Sequence, residues 1–147
     1  MSRLLIVDDE PEVVDLLAKV LVRAGHEVRT AGCGEDALRV LQDGYDAELL
    51  LVDKMLPRMH GAEVIVAARR LKPAVAVILL TAFPEPFAVP PERLDGYLAK
   101  PFKSLAQVEE AVKDALEGAA AARRREELRT RLNQVVADLT PAAKNRA

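Results

Sequence analysis

Three continuous apolar runs mark the centre of the predicted fold, at residues 4–7, 49–52 and 75–80. Short runs without polar alternation are typical of strands that are buried on both faces of a parallel sheet. Residues 27–31 alternate between polar and apolar positions, which favours an edge strand, and residues 96–99 form a further short strand. The pattern therefore predicts five strands.

Apolar residues at helical spacing separate most of these strands. The predicted helices run from Pro11 to about Gly25, over residues 35–42 and 62–71, and onward from about Ser104. The segment between Thr81 and Gly96 differs, because its four prolines leave little room for unbroken backbone hydrogen bonds. The alternation predicts a three-layer, doubly wound α/β domain with a parallel sheet over residues 1–118, in which the fourth helix is truncated or missing.

Composition narrows the class of protein. Of the 147 residues, 50% are hydrophobic and 30% are charged, which suits one domain with a sizeable core plus an appendage. No apolar run approaches the roughly 18 residues of a membrane span, and no signal peptide precedes the first strand, so we expect a cytoplasmic protein without a membrane contact. Cys33 is the single cysteine, and His26 and His60 lie far apart, which argues against a disulfide or a thiolate metal site.

Charge is divided unevenly along the chain. Residues 1–118 hold 14 basic and 20 acidic side chains, whereas residues 119–147 hold 7 basic and 3 acidic ones, so the net charges are −6 and +4. An acidic body argues against nucleic-acid binding there. We expect residues 119–147 to form a helical extension that is frayed after about residue 140, too short for a DNA-binding effector domain.

The extension carries a short apolar stripe of Leu128, Leu132, Val135 and Leu139. Its steps of four, three and four residues match fewer than two heptads of a coiled coil. Two interpretations remain open from the sequence, a helix folded back on its own domain and a short coil that forms a homodimer.

Polar groups suited to chemistry follow four of the five predicted strands. They are Asp8 and Asp9, Asp53, Thr81 and Lys100. Parallel strands end at the same edge of a sheet, where ligands bind in folds of this class. Clustered carboxylates repel one another unless a cation offsets their charge, and an all-oxygen set suits Mg²⁺. A single acid at a strand end also serves as an ordinary helix cap, but the whole set favours a phosphoryl-handling centre.

Within that set, Asp53 is the natural nucleophile for an aspartyl phosphate, because it stands alone at the end of the central strand. Phosphoryl transfer through a loose transition state needs mainly positioning and charge compensation. Lys100 can pair with a phosphoryl oxygen, and the Thr81 hydroxyl can turn toward the same phosphoryl group.

Four segments resemble the motifs of the two-component response-regulator receiver domain. They are residues 5–11 (LIVDDEP), 51–61 (LVDKMLPRMHG), 80–82 (LTA) and 96–102 (GYLAKPF). The resemblance covers residues 3 to about 117 and implies a flavodoxin-like fold with strand order 2-1-3-4-5. It also implies a histidine kinase or phosphotransfer protein that donates phosphate to Asp53, and a downstream protein that receives the signal.

The resemblance further implies roles for individual residues. Mg²⁺ would be held by Asp9, Asp53 and the Met55 backbone carbonyl, and by Asp8 through a water molecule. Lys100 would contact the phosphate. The peptide bond between Lys100 and Pro101 is usually cis in this family. Thr81 and Tyr97 would form the coupled conformational switch.

The sequence thus predicts a receiver that catalyses its own phosphorylation and dephosphorylation without being a conventional turnover enzyme. A receiver-like scaffold that signals without phosphorylation is the alternative, because the fourth helix normally contributes to the signalling face. A Mg²⁺-dependent phosphatase of similar topology would need an acid two residues beyond the nucleophile, where this chain has Met55.

Overall fold

The computed structural model describes residues 1–82 and 94–140. These residues contain nine helices and strands, joined by loops. The strands are β1 (Arg3–Val7), β2 (Glu27–Ala31), β3 (Leu49–Asp53), β4 (Ala76–Thr81) and β5 (Gly96–Ala99). The helices are α1 (Pro11–Arg23), α2 (Gly34–Gln42), α3 (Gly61–Leu71) and α4 (Leu105–Leu139). The predicted segments agree with these bounds to within about one residue at the helix starts, where Pro11 opens α1 and Ser104 caps α4.

The five strands form one parallel sheet in the order β2-β1-β3-β4-β5. Side chains alternate across a strand, so Leu5 and Val7 face one layer while Leu4 and Ile6 face the other. Helices α2 and α3 cover the first face, and α1 and α4 cover the second. The predicted doubly wound three-layer fold is confirmed.

Two helix ends depend on glycines with positive φ. Gly25 has a φ of 97° after α1, and Gly44 has a φ of 102° after α2. Side chains rarely adopt this region, so these glycines end the helices where the sequence predicts. The predicted loss of the fourth helix, between β4 and β5, lies outside the described residues, as does the predicted fraying beyond residue 140.

Helix α4 continues without a break through Gly118 and runs well beyond the sheet. Val108, Val112, Ala115 and Ala119 lie in the core, whereas the side chains of residues 123–136 are exposed. The extension is therefore an outward continuation of the last helix, and the interpretation as a helix folded back on its own domain is wrong. None of the described helices is long and apolar enough to cross a membrane.

Candidate functional site

The strand register places the predicted site residues at one level of the sheet. Val7 of β1 pairs with Val52 of β3, so the next residues, Asp8 and Asp53, come side by side. On the other side, Thr81 of β4 pairs with the last residue of β5, directly before Lys100. Consequently the sheet brings together residues that lie up to 92 positions apart in the sequence.

Four carboxylates gather at this edge. Asp8, Asp9, Glu10 and Asp53 each offer a carboxylate oxygen within 4.8 Å of the others. Asp8 and Asp53 are buried, with 1% and 6% of their surface exposed, whereas Asp9 and Glu10 are open to solvent. Glu10 was not among the predicted site residues; in the sequence it stands directly after the acid pair, where a helix cap is also expected.

Lys100 is the cation that these acids surround. Its Nζ lies 2.7 Å from Asp8 Oδ2, 3.0 Å from Glu10 Oε1 and 3.2 Å from Asp53 Oδ2. One ammonium group therefore faces three carboxylates, and the cluster keeps a net negative charge that attracts a further cation.

These surroundings disfavour the charged form of Asp53 and favour the charged form of Lys100. Burial raises the pKa of Asp53, and the charge of Asp8 raises it further, although the Met55 N–H and Lys100 oppose this. Burial alone would lower the pKa of Lys100, but the carboxylates of Asp8 and Glu10 together raise it. Lys100 thus stays charged, while ionised Asp53 lacks full charge compensation.

The donor set fits a hard divalent cation. Asp8 Oδ1 accepts a hydrogen bond from the Glu10 N–H at 2.9 Å. Asp8 Oδ2 is buried, and the Lys100 ammonium lies 2.7 Å from it. An all-oxygen cluster with excess negative charge, in which two of the carboxylates are buried, is the environment that suits Mg²⁺.

The loop between β3 and α3 holds Asp53 in place. The Met55 N–H donates to Asp53 Oδ1 at 3.2 Å, and the Gly61 N–H donates to the Lys54 carbonyl at 3.0 Å. A Cβ atom on Gly61 would lie 2.4 Å from the Asp53 carbonyl oxygen, so only glycine permits this close approach. The Met55 side chain is 60% exposed, which leaves the loop open to solvent beside the acids.

The remaining predicted residues lie on β4, β5 and the following loop. Thr81 is 2% exposed, and its carbonyl accepts a hydrogen bond from the Lys100 N–H at 2.8 Å. Tyr97 lies on the edge strand and is 40% exposed. The bond between Lys100 and Pro101 is cis, as the resemblance implied.

An apolar groove of about 620 Å³ adjoins this site, between α1 and the loop that follows β5. Its apolar lining includes Val13, Leu16, Phe102 and Leu105, while Glu10 and Lys100 line both the groove and the acid cluster. The groove therefore opens directly onto the carboxylates.

The family model of the response regulator receiver domain matches residues 4–113. The chain belongs to the response regulator receiver family. A receiver of the CheY-like type from Methanospirillum hungatei superposes on 83% of this chain and 98% of its own length, with a TM-score of 0.73 and 26% identity. This structural likeness agrees with the strand order β2-β1-β3-β4-β5.

Two curated relatives of this receiver are transcriptional regulators. TcrA of Mycobacterium tuberculosis is 38% identical over 68% of this chain, and the alkaline phosphatase synthesis regulator PhoP of Bacillus subtilis is 38% identical over 69%. The matched regions span 40% and 43% of those proteins. The likeness concerns their receiver portion alone.

Proposed function

We propose that this receiver accepts a phosphoryl group from a histidine kinase or a phosphotransfer protein onto Asp53. The observation that carries the proposal is the buried Asp53 carboxylate at the end of the central strand, beside three further acids and Lys100. The protein acts in the cytoplasm, where it signals to a downstream protein by a change of conformation.

The residues divide the chemistry among them. A carboxylate oxygen of Asp53 bonds to phosphorus while the bond from phosphorus to the donor nitrogen breaks. Asp9, Asp53 and the Met55 carbonyl would hold Mg²⁺, with Asp8 acting through water. Mg²⁺ bound by these residues would supply positive charge to offset the negative carboxylates and phosphoryl oxygens. Lys100, which already lies 3.2 Å from Asp53, pairs with a phosphoryl oxygen.

Signalling would follow from the new charge on Asp53. Thr81 ends the neighbouring strand and can turn its hydroxyl toward the phosphoryl group, and Tyr97 on the outer strand can move from its exposed position to a buried one. Phosphorylation would shift the balance between two such arrangements.

A small-molecule donor tests the acceptor directly. Acetyl phosphate with Mg²⁺ should add one phosphoryl group that hydroxylamine removes, as expected of an acyl phosphate, and chelation of Mg²⁺ should prevent the reaction. Asp53→Asn should abolish the label, whereas Asp43→Asn, a change at an exposed position in the loop after α2, should keep it. Persistence of the label in Asp53→Asn would refute the assignment, and equal partner binding by both proteins would favour the scaffold.

The apolar groove offers a place for the donor protein. Its lining side chains adjoin Glu10 and Lys100, so a kinase helix seated there would bring its phosphohistidine to the acid cluster. With the kinase identified by phosphotransfer profiling, Leu16→Asp should slow transfer from that kinase without slowing the reaction with acetyl phosphate. Val22→Asp is the matched control, because Val22 is exposed on α1 outside the groove.

A further inference from the structure

The outer part of α4 carries four exposed apolar side chains on one face. We call Leu128, Leu132, Val135 and Leu139 the apolar stripe; their exposed fractions are 62%, 62%, 52% and 74%. Large side chains in a continuous exposed row are typical of an interaction surface. Their spacing of four, three and four residues is that of the inner positions of a coiled coil.

The stripe points away from the receiver's own sheet. Ala119 packs into the core, and Leu128 follows nine residues later on the same unbroken helix, about two and a half turns further on. The stripe therefore lies on the opposite side of α4 from the face that contacts the sheet. The body of the same receiver cannot cover it.

The helix also lacks support of its own in this region. From Arg123 to Val136 every side chain is exposed, and the hydrogen bonds between Arg129 and Glu126 and between Gln134 and Asp138 join residues of this same helix. In proteins most helical stability comes from tertiary packing of an apolar face, which this stretch does not receive from its own receiver body. A partner on the stripe would supply that packing.

We propose that the stripe binds the same stripe on a second copy of this chain, and that the two helices run antiparallel. A parallel pair would place Arg125, at an inner position of the heptad, against Arg125 of the second copy. It would also bring Arg124 close to Arg129 of the second copy. Both contacts join like charges, which is destabilising at close range.

The antiparallel arrangement removes these contacts and creates opposite-charge pairs. Leu128 then meets Leu139 of the second copy, and Leu132 meets Val135. The same register sets Arg131 beside Asp138 of the second copy, and the two-fold symmetry makes this pair twice. Arg125 lies beyond the paired stretch.

The predicted dimer is weak and exchanges with monomer. Fewer than two heptads bury a small area, below the roughly 1,200 Å² of a standard stable interface. We therefore expect dimers at tens to hundreds of micromolar protein, an order-of-magnitude range for so small an apolar interface.

Sedimentation equilibrium over a concentration series tests the association. The mass should rise from monomer to dimer, and Leu132→Asp should hold the protein monomeric because it sets a charge in the centre of the stripe. Asn133→Asp adds the same charge on the outer face and should leave the association unchanged. Circular dichroism should show both variants folded, since Leu132 and Asn133 are exposed. A monomer at all concentrations, or a trimer, would overturn the proposal.

Two further measurements test the direction of the helices. Arg131→Asp should weaken the dimer several-fold, and adding Asp138→Arg should restore it. In a Cys33→Ala background, spin labels on Glu117→Cys should lie about 50 Å apart, from a rise of about 1.5 Å per residue. A distance of about 10–20 Å would indicate a parallel pair and contradict the antiparallel arrangement.

Discussion

Asp53 shows how one residue can be poorly placed for stability and well placed for chemistry. Its carboxylate is buried next to Asp8, and both burial and that neighbouring charge raise its pKa. Lys100 compensates only in part, because it also faces Asp8 and Glu10. A divalent cation or a transferred phosphoryl group changes this balance, so the ionised acid makes the site responsive to both.

The first prediction follows from that imbalance. A raised pKa means that the folded state loses stability as pH rises from the ordinary carboxyl pKa through the raised value, and at neutral pH the ionised Asp53 is destabilising. In the presence of EDTA, Asp53→Asn should therefore raise the free energy of unfolding by about 1 kcal/mol. Urea denaturation measures this, and millimolar Mg²⁺ should stabilise the unmodified protein but not the variant. A loss of stability in EDTA would show that the pair with Lys100 outweighs burial and repulsion.

Tyr45 leads to a second prediction, at the alkaline end. Its ring is 7% exposed and its hydroxyl donates to the Leu4 carbonyl at 3.0 Å; burial, followed by the charge of Glu27, raises the pKa of Tyr45 to about 12. The unfolded phenol ionises near pH 10, so stability should be complete below pH 10 and fall between pH 10 and 12, by at most about 1.4 kcal/mol per pH unit.

The Tyr45→Phe variant separates the effect of Tyr45 ionisation on stability from the effect of the lysines, which titrate in the same pH range. The variant should lose less stability than the unmodified protein between pH 10 and 12, as measured by urea denaturation at each pH. Equal slopes would show that Tyr45 ionises normally in the folded state.

At the scale of elements, the loop from β3 to α3 is the most constrained connection at the site. Gly61 is the first residue of α3 and lies close against the backbone of Asp53. The Arg58 Nε–H donates a hydrogen bond to Glu35 Oε2 of α2 at 2.8 Å. Arg58 itself has a φ of 64°, a conformation uncommon for residues with a side chain. The loop thus positions the acceptor through backbone contacts.

Gly61→Ala should destabilise the protein by about 1–3 kcal/mol, because its Cβ would overlap the Asp53 carbonyl oxygen. The displaced loop should also slow labelling by acetyl phosphate. Gly118→Ala is the control: a Cβ there meets no atom within 4 Å, and alanine should stabilise the middle of α4 by about 0.5–1 kcal/mol. Thermal denaturation compares the two, and equal effects would contradict the close approach at Gly61.

The elements themselves were predictable because strands buried on both faces must be apolar throughout, as in Leu49–Val52. The clustering of the acids was predictable as well, since the carboxyl ends of parallel strands meet at one edge of the sheet. The contact of Glu10 with Lys100 was not predictable, because it joins side chains 90 residues apart through a geometry that only the folded sheet provides. The helical propensity of residues 119–139 did indicate a prolonged last helix, and α4 runs through Gly118 because one glycine costs a helix only about 1 kcal/mol.

At the scale of the whole molecule, the site connects to the far edge of the sheet through neighbouring strands. The Lys54 N–H donates to the Leu80 carbonyl at 2.8 Å, and the Lys100 N–H donates to the Thr81 carbonyl at 2.8 Å. Backbone bonds therefore link the ends of β3, β4 and β5. We therefore predict that a change at Asp53 reaches the outer strand of this sheet, which carries the exposed Tyr97.

Tyr97 can report that change without a foreign probe. The chain has two tyrosines and no tryptophan, so in Tyr45→Phe the fluorescence at tyrosine wavelengths comes from Tyr97 alone. If phosphorylation buries this ring, beryllofluoride with Mg²⁺, which mimics the phosphoryl group, should reduce its quenching by acrylamide roughly twofold, as expected of a population shift toward a buried state. Adding Asp53→Asn should remove the response. Unchanged quenching, together with demonstrated binding of the mimic, would mean that Tyr97 takes no part in the switch.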